Sequence, residues 1–513
     1  MKYELPSSHG LPHEIVSNPE LVPRTAEGDP SLTDVQFAAL EAGVARGASL
    51  LVVAPTSTGK TLIGIWALAS WLKSDPRHHA VYLVTHRALA AQKFEELDAL
   101  LRPSCFQGDG SCIVLADGDS IRDGNGNTPI EPLNVPVLVA TYEKYLAMLA
   151  GSGIREDMSH CAVVCDEIQI IGDQHRGKQI EVLMTILRMA RWGQVVGLSA
   201  VLEASDAEAL SSWLDVRLIR STQREKHLRY ECRRPDRVQL FETTRDNGDI
   251  TEEARGRERS IDTIGIVREL LAEGDCLPVV VFCMTKNKVF ELAQEFAESK
   301  GVTVGPRVSI HEELADATTS ALELTSYLQH RFAYHSADLL QAERALVEKS
   351  IKAGDVDVVF STSTLAAGVN FPFRTAVFDS WKRYNQRTQI HEPIPASDFQ
   401  NMAGRVGRMG FEGDYGRVLF TAENGFRERA ANVYLSPDLV SQLELRLRPE
   451  AFTHLALQLA SSGICKTKAE VESFLTGTLS AERERARNRA GLAHWQQAVS
   501  SSIDELKAWG FLL

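Results

Sequence analysis

Residues 54–61 read APTSTGKT. Backbone N–H groups of such a loop, at the positive end of a following helix, suit phosphate oxygens. Ala54, Pro55, Thr56, Ser57, Thr58, Gly59, Lys60 and Thr61 are the expected cradle. Lys60 has the reach for β/γ-phosphates, and the Thr61 hydroxyl is an oxygen ligand for Mg2+. Ala54 stands where the usual pattern has its first glycine. A second set, CDEIQ (165–169), closes an apolar run. There Asp166 is expected to orient Mg2+ through water, and Glu167 to polarise an attacking water. Together the two sets have the chemistry of Mg2+-assisted nucleotide hydrolysis.

The elements around these residues supply the context the chemistry needs. SLLVVAP (49–55) reads as a strand feeding the loop, and TLIGIWALASWL (61–72) as the helix that follows. Further apolar runs stand at 80–85, 112–117, 136–141, 161–167 and 194–200. Such runs alternating with helical patterns predict a parallel sheet covered on both faces. The carboxylates of 166–167 then sit at the carboxyl edge of that sheet, beside the phosphate loop. Residues 117–128 read as a surface loop, and 216–237 as a basic connection carrying Arg217, Arg220, Arg224, Lys226, Arg229, Arg233, Arg234 and Arg237. The alternation restarts with strands expected at 278–283, 355–362, 375–379 and 416–422. Beyond residue 430 the pattern turns helical. Thr467 and Glu470 have capping-box spacing, a last helix is expected near 492–509, and WGFLL (509–513) reads as a terminal strand. The expected division is a tail or partner segment (1–30), a first α/β lobe (31–222), a second (223–430) and a winged-helix-like module (431–513) that looks incomplete.

The chain has 513 residues, 44% hydrophobic and 24% charged, with a formal net charge of −13. That balance is ordinary for a soluble globular protein and excludes one coated in basic charge. A basic cleft on an acidic protein remains compatible with nucleic acid. No apolar run reaches a membrane span, and MKYELPSSHG has no signal-peptide core, so a cytoplasmic location is expected. The eight cysteines show no C-x-x-C pair and read as neither a disulfide framework nor a zinc site.

The motifs in series resemble those of the superfamily 2 helicases, in particular the Ski2-like group that includes archaeal DNA-repair helicases of the Hel308 type. DEIQIIGDQHRG (166–177) is similar to that group's motif II. VTHRALAAQKFEEL (84–97) and VATYEKYLAML (139–149) resemble motif Ia and the strand-binding motif after it, and GLSA (197–200) motif III. In the second lobe, 332–354 resembles motif IVa, STSTLAAGVNFP (361–372) motif V and QNMAGRVGRMG (400–410) motif VI. The resemblance implies two RecA-like lobes and ATP hydrolysis between them. Arg405 and Arg408, three apart, share a helix face and suit an arginine-finger role in cis. It further implies that Gln400 bridges to the nucleotide, that Gln36 reads adenine, and that Gly368 and Asn370 of motif V face the nucleotide. Arg87, Thr141, His335, Thr362 and Thr364 are the implied phosphate contacts of a nucleic-acid strand. Gln169 stands where the group usually has His, which bears on coupling between ATP and the strand. WKRYNQRTQIHEPIPAS (381–397) occupies the place of a strand-separating hairpin, although its prolines argue against a long one.

The expectation is therefore an ATP- and Mg2+-dependent 3′→5′ translocase or helicase, acting on single-stranded DNA in preference to RNA. The alternatives are an ATP-gated nucleic-acid sensor or remodeller that controls a partner protein in a repair or defence complex, and an RNA helicase. The C-terminal module is expected to dock on the chain's own lobes or on such a partner.

Overall fold

A computed structural model describes residues 9–512 apart from 26, 57, 119, 153–156, 223–226, 243–249, 255–258, 303–310, 312–313, 315–317, 367–370, 386–387, 408–414, 422–433, 436–441 and 489–490. The chain forms two compact units, one of residues 1–54, 58–222 and 442–513, the other of 55–57 with 223–441.

The first unit is built on an eight-stranded sheet. Its strands are β1 (Leu50–Val53), β2 (His79–Val84), β3 (Ile113–Asp117), β4 (Ser120–Asp123), β5 (Val137–Thr141), β6 (Cys161–Asp166), β7 (Gln194–Ser199) and β8 (Arg217–Arg220). They lie in the order β4-β3-β5-β2-β6-β7-β1-β8, parallel except for the β3–β4 pair. Alternate residues of β1 enter opposite cores. Leu50 and Val52 join the helices Asp34–Glu41, Lys60–Ser74 and Arg87–Cys105, whereas Leu51 and Val53 join Gly177–Met189 and Ala204–Leu214. A strand buried on both faces needs no polar alternation, which is why these runs read as continuous apolar stretches.

Two expectations change here. Residues 9–30 are part of the lobe: Leu11, Ile15, Leu21 and Val22 are buried in its core, and Trp66 Nε1 donates to Leu21 O at 2.8 Å. Four apolar residues spaced among prolines carry no period, so the packing was not legible. The 117–128 stretch contains β4, a short antiparallel edge strand with Ser120 exposed, Ile121 and Arg122 half-buried and Asp123 buried.

The second unit holds another eight-stranded sheet, ordered β11-β10-β9-β18-β15-β12-β14-β13. The strands are β9 (His227–Arg233), β10 (Arg237–Glu242), β11 (Ile250–Ala254), β12 (Val279–Phe282), β13 (Phe332–His335), β14 (Val358–Ser361), β15 (Thr375–Phe378) and β18 (Tyr415–Thr421). β16 (Lys382–Asn385) and β17 (Ile390–Pro393) form a separate antiparallel hairpin. The basic stretch 216–237 does carry the chain from the first unit to the second, at 222–223, but most of its described residues are strand: β8 precedes that point and β9 follows it. In β9, Leu228, Tyr230 and Cys232 enter the core, while Glu231 and Arg233 are also buried. Arg233 pairs with Glu231 (2.7 Å) and Glu269 (2.6 Å), and Arg417 with Glu231 (3.1 Å). Those partners neutralise charges that burial would otherwise penalise heavily. Arg233 therefore belongs to the interior and not to a nucleic-acid track.

Residues 442–512 are helical and pack on the first unit. The helices Phe452–Ser461, Lys468–Thr476, Leu479–Arg487 and Ala493–Ala508 add Phe452, Phe474, Leu475, Trp495, Val499 and Ile503 to the core beneath Gly177–Met189 and Ala204–Leu214. Asp206, buried in the latter helix, accepts from Leu443 N and pairs with Arg483, which also donates to Leu443 O at 2.6 Å. Glu181, equally buried, accepts from Ser480 N (2.6 Å) and Ser480 Oγ (2.7 Å). Burial pushes the Glu181 carboxyl up to about 7, against the Ser480 donors and Arg483. Docking on the chain's own first lobe is the observed arrangement. Arg483, a candidate for a basic track, is spent on that junction. No strand forms among the described residues of 509–512, where Trp509 ends the last helix and Gly510 turns the chain at φ 77°.

All eight cysteines are unbridged. Among the described residues no helix is long and apolar enough to cross a membrane.

Candidate active site

β1 delivers the chain to Ala54, whose N–H donates to Ser199 O at 3.1 Å at the end of β7. The loop ends at Gly59, with φ 78°, and the helix Lys60–Ser74 starts there. A side chain at Gly59 is disfavoured by its left-handed φ, and a Cβ there, 2.1 Å from Gln36 Nε2, would displace that amide from the loop. Gln36 Nε2 donates to Gly59 O (3.3 Å), and its Oε1 accepts from Thr33 N (3.0 Å). Thr33 Oγ1 donates to Thr58 O at 2.7 Å. The capping box of the helix Asp34–Glu41 thereby straps that helix to the phosphate loop. Gln36 was singled out for a base, yet its amide is engaged with the loop itself. Thr33 was missed; its signal was the T-x-x-Q spacing of 33–36.

Lys60 Nζ donates to Ala54 O at 2.6 Å, so the ammonium lies across its own loop. Thr61 occupies the first turn of the helix. Pro55 and Thr56 are half-buried in the loop, and Ser57 lies outside the described residues.

β6 ends at Asp166, whose carboxylate accepts from Tyr82 OH (3.1 Å) and Glu167 N (3.1 Å). Its carbonyl accepts from Tyr142 OH at 2.9 Å. Burial raises the Asp166 carboxyl above its usual range; Lys93 opposes this, and the neighbouring Glu167 adds to it. Such a carboxylate gains most from a nearby cation. Glu167 sits at φ 53°, a left-handed conformation that costs a non-glycine residue of order 1 kcal/mol or more. This bend breaks the strand and starts the tight turn Ile168–Gly172. Gln169 Nε2 donates to Glu167 Oε2, and Gln169 Oε1 accepts from Ser199 Oγ at 2.7 Å. Gln169, the departure from the expected His, thus joins Glu167 to the end of β7 through one amide. A carboxylate so held can accept a hydrogen bond from water. Thr61 and Asp166 offer the hard oxygens Mg2+ takes, so the donor set fits that ion.

In the second unit, Gln400 lies on the helix Ala396–Ala403. Its Oε1 accepts from Tyr230 OH (2.9 Å) and its Nε2 donates to Tyr434 O (3.2 Å). Both ends of the amide brace this helix within its own lobe. Arg405 follows the helix and is half-buried. At Gly407, φ 62°, a Cβ would lie 2.7 Å from Gly416 N, so only glycine allows this approach to β18. Arg408, Gly368 and Asn370 lie outside the described residues.

The expected strand contacts scatter by exposure. Arg87 is exposed at the first position of its helix. Thr141 ends β5, is 7% exposed, and its hydroxyl accepts from Lys144 N (3.3 Å). Thr362 is 9% exposed just beyond β14, and Thr364 lies in the turn Ser363–Ala366. His335 is 5% exposed with Nε2 3.1 Å from Glu348 Oε1. It is held inside the lobe and not offered to a phosphate. The β16–β17 hairpin occupies the expected wedge position. Lys382 pairs with Pro393 and Tyr384 with His391, and Tyr384 and Ile390 are exposed. Pro393 ends an edge strand, where a missing N–H costs little.

An eight-stranded, parallel-dominated sheet with a phosphate loop and an acidic strand end, followed by a second parallel-dominated sheet, is consistent with tandem RecA-like ATPase lobes. Residues 33–210 match the DEAD/DEAH box helicase family, and residues 262–410 the helicase conserved C-terminal domain. The chain is similar to the ATP-dependent DNA helicase Hel308 of Aeropyrum pernix, 29% identical over 492 residues, covering 94% of this chain and 61% of the relative. The Methanocella arvoryzae Hel308 is 28% identical over 476 residues, 88% of this chain and 60% of the relative. That of Pyrococcus abyssi is 33% identical over 380 residues, 73% and 48%. The chain spans about three-fifths of the length of the first two. The matched domains and these relatives make the chain similar to superfamily 2 helicases, in particular to the Ski2-like group of the Hel308 type.

Proposed function

We propose that the chain is an ATP-dependent DNA helicase or translocase, moving 3′→5′ on a single strand. The observation that carries this reading is the first-lobe site. A phosphate loop strapped by Thr33 and Gln36 stands on the sheet edge where Asp166 and Glu167 emerge, and Gln169 ties Glu167 to Ser199. Lys60 leaves Ala54 O for the phosphates when nucleotide enters, exchanging a neutral acceptor for a charged one. Thr61 and Asp166 would hold Mg2+, which would supply charge neutralisation at the phosphates. Glu167 accepts the hydrogen bond of the attacking water and orients it, while Gln169 keeps the carboxylate in place. Arg405 and Arg408 of motif VI supply positive charge to the transition state, by their sequence pattern. The likeness to helicases named for DNA favours DNA over RNA. The β16–β17 hairpin, with Tyr384 exposed, suits stacking on the last base pair of a duplex.

Strand displacement tests this reading. A short DNA duplex with a 3′ single-stranded tail should be separated in the presence of ATP and Mg2+, and its 5′-tailed counterpart should not. Equal separation of both, or of neither, would overturn the direction or the activity.

A further inference from the structure

We propose that Arg176 is a positioning residue. It ties the acidic turn of the nucleotide site to the two segments expected to carry the nucleic-acid strand. This rests on the reading of the first lobe just given.

Arg176 stands at the start of the helix Gly177–Met189, a few residues after the turn that leaves Glu167. The backbone between them is tightly folded. Asp173 Oδ1 accepts from His175 N and Arg176 N, both at 2.8 Å, and Asp173 O accepts from Gly177 N at 3.0 Å. A Cβ on Gly177 would lie 2.5 Å from Ile171 O, so glycine is needed for this turn to close on itself. From that base the Arg176 guanidinium reaches two other elements. Nε and Nη2 meet the two carboxylate oxygens of Glu143, Nη2 at 2.9 Å, and Nη2 also donates to Thr85 O at 2.5 Å. Glu143 is in the first turn of the helix Tyr142–Ser152, two residues after Thr141. Thr85 lies two residues before Arg87.

The geometry points to linkage more than to stability. Both side chains of the ion pair keep about a third of their exposure or less, 26% and 33%. Solvent still reaches the pair and screens part of its contribution to folding. What the planar fork does provide is a fixed separation among three backbone segments, which a lysine point charge would not. A shift of the turn after Glu167 is then felt at Thr85–Arg87 and at Thr141–Glu143. Binding free energy must be linked in both directions if it is linked at all.

The test is steady-state ATP hydrolysis by the full chain, titrated with mixed-sequence single-stranded DNA. Wild type is compared with R176A, R176K, E143Q and the R176A/E143Q double variant. Without DNA, all variants should hydrolyse ATP within about twofold of wild type. The DNA concentration giving half-maximal stimulation should rise by about tenfold in R176A and E143Q, one tenfold being the size of coupling expected between linked sites. R176K should recover only part of it, and the double variant should be no worse than R176A. A rate lost equally with and without DNA would overturn the proposal, since Arg176 would then serve the nucleotide site or the fold. An unchanged DNA titration in every variant would overturn it as well. If wild type shows no stimulation by DNA, the proposed function itself fails, an outcome distinct from either of these.

Discussion

In the proposed function Lys60 meets the phosphates and Glu167 the attacking water, and the difference is measurable. Lys60→Ala removes a cation from the loop and should weaken nucleotide binding together with turnover. Glu167→Gln keeps the size and the Gln169 contact but cannot hold a water as a carboxylate does. It should bind ATP nearly as wild type while turnover falls by at least about 100-fold, the usual share of general-base assistance. Equilibrium binding of a fluorescent ATP analogue, run beside steady-state hydrolysis, separates the two; hydrolysis at the wild-type rate in either variant would refute the assignment. At this scale the sequence was informative where chemistry is carried by neighbours in the chain. GKT and DE declare themselves. Thr33, Tyr82 and Ser199 did not, because each acts on a partner far away in sequence. Gln400 and His335 match motif positions, yet hydrogen bonding within the lobe decides their surroundings.

At the scale of elements, the C-terminal helices are joined to the first lobe through buried polar groups, and this has a pH signature. Glu181 faces Ser480 and Arg483 from the docked helix. Its carboxyl is raised from 4.5 to about 7 by burial, so the folded chain holds a proton there that the unfolded chain has released. The corresponding stability is full below about pH 4.5 and is lost as pH rises through 7, by roughly 3 kcal/mol as an upper bound. Wild type should therefore lose stability between pH 5 and pH 8 relative to Glu181→Gln, which keeps the shape and cannot ionise. Thermal unfolding at several pH values checks this, and parallel profiles for the two proteins would contradict it. The central parallel strands were legible because both faces are buried and the runs are apolar throughout. β8, β9 and β10 were not, since their charged residues mimic a linker. In β9 the polar face is itself interior, paired as Arg233–Glu231–Arg417. Period-two alternation was present, but charge obscured it. The docking of residues 442–512 depends on contacts with helices some 260 residues earlier, such as Trp213 Nε1 to Gly477 O, which no local pattern encodes.

For the whole molecule, net charge and function must be reconciled. A chain of net charge −13 that grips a polyanion has to do so through local cationic and backbone groups. Affinity for single-stranded DNA should then be weakly dependent on base sequence and fall steeply with salt, by counterion release. Fluorescence anisotropy with two unrelated sequences, from low to moderate salt, would show it; a flat salt response would exclude a phosphate-led grip. The two-lobe architecture was readable from motif order alone, because strand-loop-helix chemistry recurs in a fixed series. The central claim is that ATP hydrolysis in the first lobe answers to a nucleic-acid strand. Its most direct test is the ATPase rate of the full chain with single-stranded DNA, single-stranded RNA, blunt duplex and no polymer, at one salt concentration. Single-stranded DNA should raise the rate by about tenfold or more over the polymer-free value, a coupling of the size typical between linked sites, and RNA and duplex should raise it less. A rate indifferent to all four conditions would contradict the account.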